Sequence, residues 1–362
     1  MKKKPKNIKK IIALILFSFH PLVFIYLAKI IPMPILSVLI AALLSIFFMV
    51  VTHELGHLIF GRLTGYQFIS FRIFSLMLFR ENGKWKLKRH KVPGTAGQCL
   101  MAPPRKQDGK YPYKLYNLGG ILFCGVLSFI PMVISMFLIE HPLGMPLFVF
   151  GFVSFFMNLM NAIPTNGKSM LNDATNLRMA NRSEAGKDAL WNQLEYMRLY
   201  AQNVRTADMP AEMFFRPQES ELGNTLVQWQ SVANTERYED MGDYAKAWEE
   251  AIYLLEKAPF LPNGHKDILK TEIVYLGALL GNDAARIGTY YKELERYAPV
   301  SFRRSVQFKR MVYAYQKFVE KDESAANLNR KTLEARIEKE AYAASRNFER
   351  RQMEYIDHLT AS

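Results

Sequence analysis

The sequence has little cysteine, and acidic residues are scarce in its first 163 positions. The two cysteines, Cys99 and Cys124, lack the spacings that bind metals through sulfur and suggest no disulfide framework. The formal net charge is +14, and the whole positive excess lies in the first 163 residues, where basic residues flank apolar runs. This arrangement is typical of membrane orientation signals, so we discount nucleic acid as a partner.

Long runs without charge indicate a membrane domain in residues 1–166. A spanning helix needs about 20 mostly apolar residues. Four segments meet this criterion: 11–31, 33–60, 115–139 and 143–163. The basic N-terminus is similar to a signal peptide, but no small-residue cleavage site follows it, and we expect a retained anchor. The sequence therefore predicts a mainly α fold, with a polytopic membrane helical bundle of about four spans.

Lysine and arginine are concentrated on one side of these predicted spans. Six of the first ten residues and twelve residues of the loop 61–114 are basic, whereas the two opposite links contain only Lys29. Short cytoplasmic loops are enriched in these residues. We therefore predict a multi-pass protein of the cell membrane with a cytoplasmic loop 61–114 and both termini in the cytoplasm.

One polar segment interrupts the second apolar run, His53-Glu54-Leu55-Gly56-His57. Residues four apart share a helix face, so both imidazoles can bind one metal ion, and Glu54 can accept a proton from water bound there. Chance produces the bare pattern in about one chain in a hundred. An ionisable group within a span costs at least roughly 2.5 kcal/mol, which argues against chance. Pairing of these side chains with neighbouring helices is the structural alternative.

A catalytic zinc site needs a third protein ligand and an open position for water. Asp173 follows the fourth predicted span, and the charge-derived topology puts it on the same side as His53 and His57. We therefore expect one Zn²⁺ per chain, held by His53, His57 and Asp173, with Glu54 as the general base.

These segments resemble the site-2 protease family of intramembrane metalloproteases. The family's His-Glu-x-x-His helix is matched by residues 53–57, and its Asn-x-x-Pro segment by Asn161-Ala-Ile-Pro164. Its Asp-Gly pair becomes Asp173-Ala174 here, after a longer intervening segment. The resemblance implies hydrolysis of a peptide bond within or next to a transmembrane segment of a membrane protein or remnant signal peptide. It also implies that Asn161 polarises the substrate carbonyl or binds the substrate backbone, with helix capping as the alternative.

The third predicted span begins with glycines, Gly119, Gly120 and Gly125. The family that this chain resembles has a glycine-rich start at this place, followed by a proline and an asparagine that are missing here. Small residues also let helices approach closely, which is an equally good explanation. We therefore assign these glycines no chemical role.

The loop 61–114 contains a strong hairpin signal, Asn82-Gly83, followed by the alternating residues KWKLK. We predict a small membrane-associated β-hairpin whose apolar side chains face lipid or protein and whose three lysines face lipid head groups. An exposed strand edge could hold an extended substrate by main-chain hydrogen bonds, with Phe71 and Trp85 as substrate contacts. An amphipathic surface loop is the alternative.

The second half of the chain has no apolar run long enough to span a membrane. We expect a linker with helices at 167–220 and a cytoplasmic helical domain at 221–362, which ends in a long amphipathic or capping helix over 327–359. Residues 242–259 resemble the second half of a tetratricopeptide repeat, and residues 281–299 echo them at a period of about 40. This predicts a solenoid-like array of α-helical hairpins that binds a protein partner. An ordinary helical domain with accidental echoes is the alternative.

Two other functions are compatible with parts of this pattern. A catalytically idle membrane scaffold could bind a partner through the helical domain, but it would have no need for Glu54 between two histidines. A zinc transporter would need metal ligands near the bilayer midplane and a second polar helix, and the sequence offers neither.

Overall fold

The computed structural model of the chain describes residues 35–81, 84–90, 92, 95–138, 140–165 and 172–359. Within these ranges the protein is mainly helical and contains one small four-stranded antiparallel sheet. The chain divides into two compact units, Met1–Met49 with Cys124–Leu159 and Val50–Phe123 with Met160–Ser362. The first predicted span, 11–31, lies outside the described residues.

Three helices of the described part are long and apolar enough to cross a membrane: α1 (Ile35–Leu63), α2 (Tyr113–Phe137) and α3 (Gly144–Asn161). Their bounds lie within a few residues of the second, third and fourth predicted spans. These segments contain almost no charged side chains and many exposed leucine, isoleucine and phenylalanine side chains. Such helices satisfy their own backbone hydrogen bonds and leave apolar side chains for lipid, which supports membrane association.

The first unit is held together by apolar contacts and by hydroxyl groups within its helices. Val38 of α1 packs in a small core with Met145 and Val149 of α3. The Ser154 hydroxyl donates a hydrogen bond to the carbonyl oxygen of Ser45 at 3.1 Å, and both residues are fully buried. Small residues of this kind let apolar helices approach one another closely.

The loop 61–114 forms four strands rather than a single hairpin: β1 (Gln67–Ile73), β2 (Leu76–Glu81), β3 (Lys84–Arg89) and β4 (Gly97–Ala102). Their order in the sheet is β3-β2-β1-β4, and every neighbouring pair is antiparallel. Strands β2 and β3 flank the predicted turn and confirm the hairpin. The sequence did not reveal β1 and β4, because their buried residues do not alternate with exposed ones.

The two faces of the sheet differ in burial. On β2, Leu76 and Leu78 are exposed, whereas Met77 and Phe79 on the opposite face are buried. Leu78 pairs directly with Leu87 of β3, so the middle of the exposed face is apolar, with Arg80 and Arg89 on either side of it. An apolar exposed face of this kind is compatible with the predicted contact with lipid or protein.

Two lysines of the KWKLK strand contact protein groups on the buried face. Lys86 forms an ion pair with Glu81, and Lys88 donates hydrogen bonds to the backbone carbonyls of Glu338 and Glu340. The predicted contact of these lysines with lipid head groups stays a prediction. Lys86 is half-exposed and pairs within the hairpin, whereas the C-terminal part of the chain covers the sheet at Lys88.

Nine further α-helices lie in the described residues beyond position 171: α4 (Asp173–Ala180), α5 (Glu184–Ala201), α6 (Thr225–Met241), α7 (Tyr244–Lys257), α8 (Asn263–Leu280), α9 (Ala284–Tyr297), α10 (Val306–Tyr315), α11 (Glu323–Ile337) and α12 (Ala343–His358). Helices α6 and α8 end at Gly242 and Gly281, which adopt the left-handed conformation. Asp243 and Asp283 then cap α7 and α9. These local signals produce two successive helical hairpins.

A buried ion cluster lies in the core of this helical region. Arg310 of α10 faces the carboxylates of Glu272, Glu239 and Glu349 at 2.6, 3.2 and 3.7 Å. The one arginine side chain thus pairs with three carboxylates, each from a different helix. Burial raises the pKa of Glu349 to about 7, although the positive charge of Arg310 opposes this shift.

The predicted terminal helix over 327–359 is interrupted. Helix α11 ends at Ile337 and α12 begins at Ala343. The segment 338–342 between them, which we call the connector, packs against the buried face of the sheet, where Ala341 joins a cluster with Met77 and Phe79. The hydroxyl of Tyr342 lies 3.2 Å from that of Ser70 on β1. The helical region and the sheet therefore share part of one core.

Candidate metal centre

Three side chains from distant parts of the chain converge on one point. His53 and His57 lie one turn apart on α1, and Asp173 is the first residue of α4. The Asp173 Oδ2 atom lies 2.8 Å from His53 Nε2 and 3.2 Å from His57 Nε2, and the two Nε2 atoms are 3.2 Å apart. These three groups could hold a metal ion.

The orientation of the His57 ring is fixed by a backbone hydrogen bond. His57 Nδ1 lies 2.8 Å from the carbonyl oxygen of Tyr116 on α2. A carbonyl oxygen can only accept a hydrogen bond, so Nδ1 carries a proton, and in the neutral ring the Nε2 lone pair is then free to bind a metal ion. A metal-binding histidine usually has such a partner for its second nitrogen.

The start of α4 is anchored in a way that places Asp173. Asn172 caps the helix by accepting the backbone N–H of Thr175, and its amide donates to the carbonyl oxygen of Ile163 at 2.8 Å. Burial favours the neutral form of Asp173, but the neighbouring imidazoles outweigh it and hold the pKa of this carboxyl below its ordinary value. The group therefore stays ionised and suited to binding a cation.

Glu54 lies beside this group, against strand β4. Its side chain is buried, and the backbone amide of Cys99 hydrogen-bonds its carboxylate. The carbonyl oxygen of Cys99 accepts a hydrogen bond from the Tyr116 hydroxyl at 2.9 Å. Both backbone groups of Cys99 therefore bond outside the sheet, which makes Cys99 and its partner Phe71 of β1 a non-hydrogen-bonded pair of the ladder. The strand next to Glu54 is therefore β4 and not the predicted hairpin.

Arg72, a residue of strand β1, holds the backbone that leads into β4. This side chain is almost fully buried and donates hydrogen bonds to the carbonyl oxygens of Phe74, Thr95 and Gly97 at 2.6, 3.3 and 3.1 Å. Gly97 in turn touches Glu54 so closely that a Cβ atom there would overlap the carboxylate. Arg72 thus holds the backbone against which Glu54 rests.

Two of the glycines to which we assigned no chemical role lie at the centre. A Cβ atom on Gly120 would lie 2.6 Å from His57 Nε2 and 2.7 Å from His53 Nε2, a separation that side-chain atoms essentially never show. Gly119 meets Gly56 backbone to backbone. The sequence left open whether these glycines allow helices to pack closely. Gly119 does so. Gly120 in addition leaves room for the two imidazoles.

The three residues predicted to contact substrate differ in where they lie relative to this centre. Asn161 is the last residue of α3, and no hydrogen bond joins it to the described residues of the centre. Phe71 lies directly opposite Cys99 in the sheet. Trp85 belongs to β3, the edge strand farthest from β4, and 59% of it is exposed. The structure thus brings Phe71 near the centre and leaves Trp85 at the other edge.

Sequence reasoning found His53, Glu54, His57 and Asp173, which the structure brings together, but it missed Arg72, Gly97, Cys99 and Tyr116. The contribution of Cys99 and Tyr116 to the centre includes backbone groups, which any residue type could supply, so no sequence signal marks it. The chain matches no protein-family model, and no curated protein or solved structure is significantly similar to it.

Proposed function

We propose that this chain is an intramembrane zinc metalloprotease similar to the site-2 protease family. One observation carries the proposal: His53, His57 and Asp173 converge at the end of an apolar helix, with Glu54 beside them. Three protein ligands and a neighbouring carboxylate are what a hydrolytic zinc site requires.

The three ligand atoms lie close enough together to share one cation. Bonds of about 2.0–2.2 Å in tetrahedral geometry would put ligand atoms roughly 3.3–3.6 Å apart. The atoms of His53, His57 and Asp173 are separated by 2.8 to 3.2 Å, so the three side chains would have to move slightly apart to hold zinc. Three lone-pair donors this close together repel one another unless a cation or proton lies between them.

The roles of the chain's own residues follow from their contacts. Zinc, when bound, would polarise the scissile carbonyl and make water more acidic. Glu54 would accept the proton of that water and pass it to the leaving amine. The amide of Cys99 orients the Glu54 carboxylate, and the carbonyl of Tyr116 orients His57. Burial of these groups excludes bulk water and strengthens each interaction.

The proposed substrate is a membrane protein or a remnant signal peptide, cut within or next to its transmembrane segment. The chain would be a multi-pass protein of the cell membrane with both termini in the cytoplasm. The apolar face of the sheet would contact the substrate or lipid, with Phe71 better placed than Trp85. Asn161 would contact the substrate backbone, and the helical hairpins would form a solenoid-like surface for a protein partner.

Replacement of Glu54 by Gln tests the proposal. We expect zinc content to remain and processing of membrane fragments to fall by about 10²–10⁴-fold, because the base is lost while the ligands stay. Mass spectrometry of membrane peptides in cells, together with zinc analysis of the purified protein, measures both. Glu140→Gln, an exposed acid in the link before α3, is the matched control.

Asp173→Ala tests the third ligand separately and should lower zinc affinity. Unchanged fragments in the Glu54→Gln cells, with zinc retained, would instead favour the catalytically idle scaffold. Undiminished zinc affinity of Asp173→Ala would require a different third ligand.

A further inference from the structure

A groove in the helical region, far along the chain from the metal centre, has an apolar floor and a basic rim. Its cavity of about 330 Å³ is formed by residues of α9, α10 and α11 and of the turns between them. Phe308 and Val312 form part of the floor, and Val300, which is 56% exposed, lies at the mouth. The groove is open to solvent and thus accessible to a ligand.

Three basic side chains and one acidic side chain line this groove. Arg303, Arg304 and Lys309 face it together with Glu295. Within the described residues, no carboxylate forms an ion pair with any of these three cations. Arg303 donates one hydrogen bond to the backbone carbonyl of Glu295 at 2.9 Å, while its buried Nε atom has no hydrogen-bond partner in the described part.

The crowding of positive charge has an energetic cost. Lys309 and Arg303 are only partly exposed, so water screens their mutual repulsion incompletely. Burial lowers the pKa of Lys309, and the charge of Arg336 lowers it further, whereas Glu295 opposes these effects and Arg303 adds a smaller lowering. A bound anion would relieve this repulsion and supply an acceptor for the free Nε atom of Arg303.

We propose that this groove binds an acidic peptide segment, whose carboxylates contact Arg303, Arg304 and Lys309 and whose apolar side chains contact Val300 and the floor. The apolar floor favours a peptide over a lipid head group, because a phosphate alone gains nothing from apolar contacts. Positive charge on the rim supplies the complementarity and sets the preferred sign of the partner. The proposal does not depend on proteolytic activity.

Fluorescence anisotropy tests this on the full chain in nanodiscs of neutral phosphatidylcholine. The probe is a short fluorescein-labelled peptide that is rich in glutamate and contains valine. We expect saturable binding, weakened about tenfold or more by Lys309→Glu and by Arg304→Glu. Arg304 is exposed, so its replacement should leave the fold intact. Lys331→Glu, which reverses an exposed charge outside the groove, is the matched control and should bind like the wild type.

Three results would overturn the proposal. They are equal binding of a peptide with glutamine in place of glutamate, equal loss of binding in Lys331→Glu, and full displacement of the peptide by glycerophosphoserine or inorganic phosphate at matched concentration. The last result would assign the groove to phosphate groups.

Discussion

At the scale of single residues, one methyl group at position 120 is enough to obstruct the metal centre. In Gly120→Ala the new Cβ atom would press on the Nε2 atoms of both His53 and His57. We expect zinc affinity to fall by about 10–100-fold, as when an outer-shell partner is lost. Titration of the purified protein against a zinc chelator measures this.

The matched control for that substitution lies five residues along the same helix. In Gly125→Ala the added atom only meets the Asn158 amide at an ordinary contact distance of 3.5 Å. Zinc affinity should therefore remain at the wild-type value. If Gly120→Ala binds zinc equally well, the two imidazoles are not held as the structure indicates.

Arg72 offers a second test at this scale, because it holds the backbone beside Glu54 and its charge also acts on that carboxylate. Loss of its hydrogen bonds in Arg72→Gln would release Thr95 and Gly97 and let Glu54 shift. We expect zinc to stay bound while processing of membrane fragments falls about tenfold or more, since small displacements of a catalytic group are costly.

The exposed Arg89 on β3 provides the comparison for Arg72. Arg89→Gln should process fragments normally. A loss of zinc in Arg72→Gln would mean that this arginine supports the ligands rather than the base, and unchanged processing would remove it from the centre altogether.

The residues of the centre differ in how far the sequence could reveal them. His53, Glu54 and His57 are fixed by helical spacing, and Asp173 by the charge-derived topology, so local and compositional rules were sufficient. Gly120 and Arg72 depend on which elements meet in three dimensions. Spacing along the chain contains no information about that approach.

At the scale of elements, the three long apolar helices were predictable and the sheet was predictable only in part. Long apolar runs identify α1, α2 and α3, and alternation around a turn identifies β2 and β3. Strands β1 and β4 are partly buried on both faces, so alternation is lost. The break between α11 and α12 was missed because interspersed charges continue across it.

The connector, which makes that break, is testable as an element. Tyr342→Ala removes the hydroxyl near Ser70 and the ring that packs edge-to-face on Phe79. We expect faster hydrogen exchange in β2 and β3, because the buried face of the sheet is then open to water. Tyr297→Ala, on a side chain that is 69% exposed, should leave exchange in the sheet unchanged. Equal exchange in both variants would show that the connector does not protect the sheet.

At the scale of the whole molecule, stability should depend on pH through the buried cluster around Arg310. The pKa of Glu349 is about 7 in the folded chain, against an ordinary value of 4.5. Between these values the unfolded chain loses its proton first, so this group makes the fold less stable as pH rises through that window. The full penalty, about 3 kcal/mol at most, is present above pH 7.

Glu349→Gln should therefore flatten this part of the pH profile and raise stability most at alkaline pH. Urea unfolding of the full chain in detergent, followed by circular dichroism, measures the midpoint at each pH. Glu354→Gln, on the exposed side of the same helix, should keep the wild-type profile. If the stability of Glu349→Gln changes with pH in the same way as that of the wild type, other acidic groups cause the pH dependence.

Contact between the connector and the sheet also decides how the chain can be shortened. Met77 and Phe79 are only 3% and 2% exposed because residues near the C-terminus cover them. A truncated form that stops before the connector would present these side chains to water beside the already apolar outer face. Such a protein would expose apolar side chains on both faces of its sheet and would tend to aggregate. In an activity assay, this aggregation would be mistaken for loss of catalytic function.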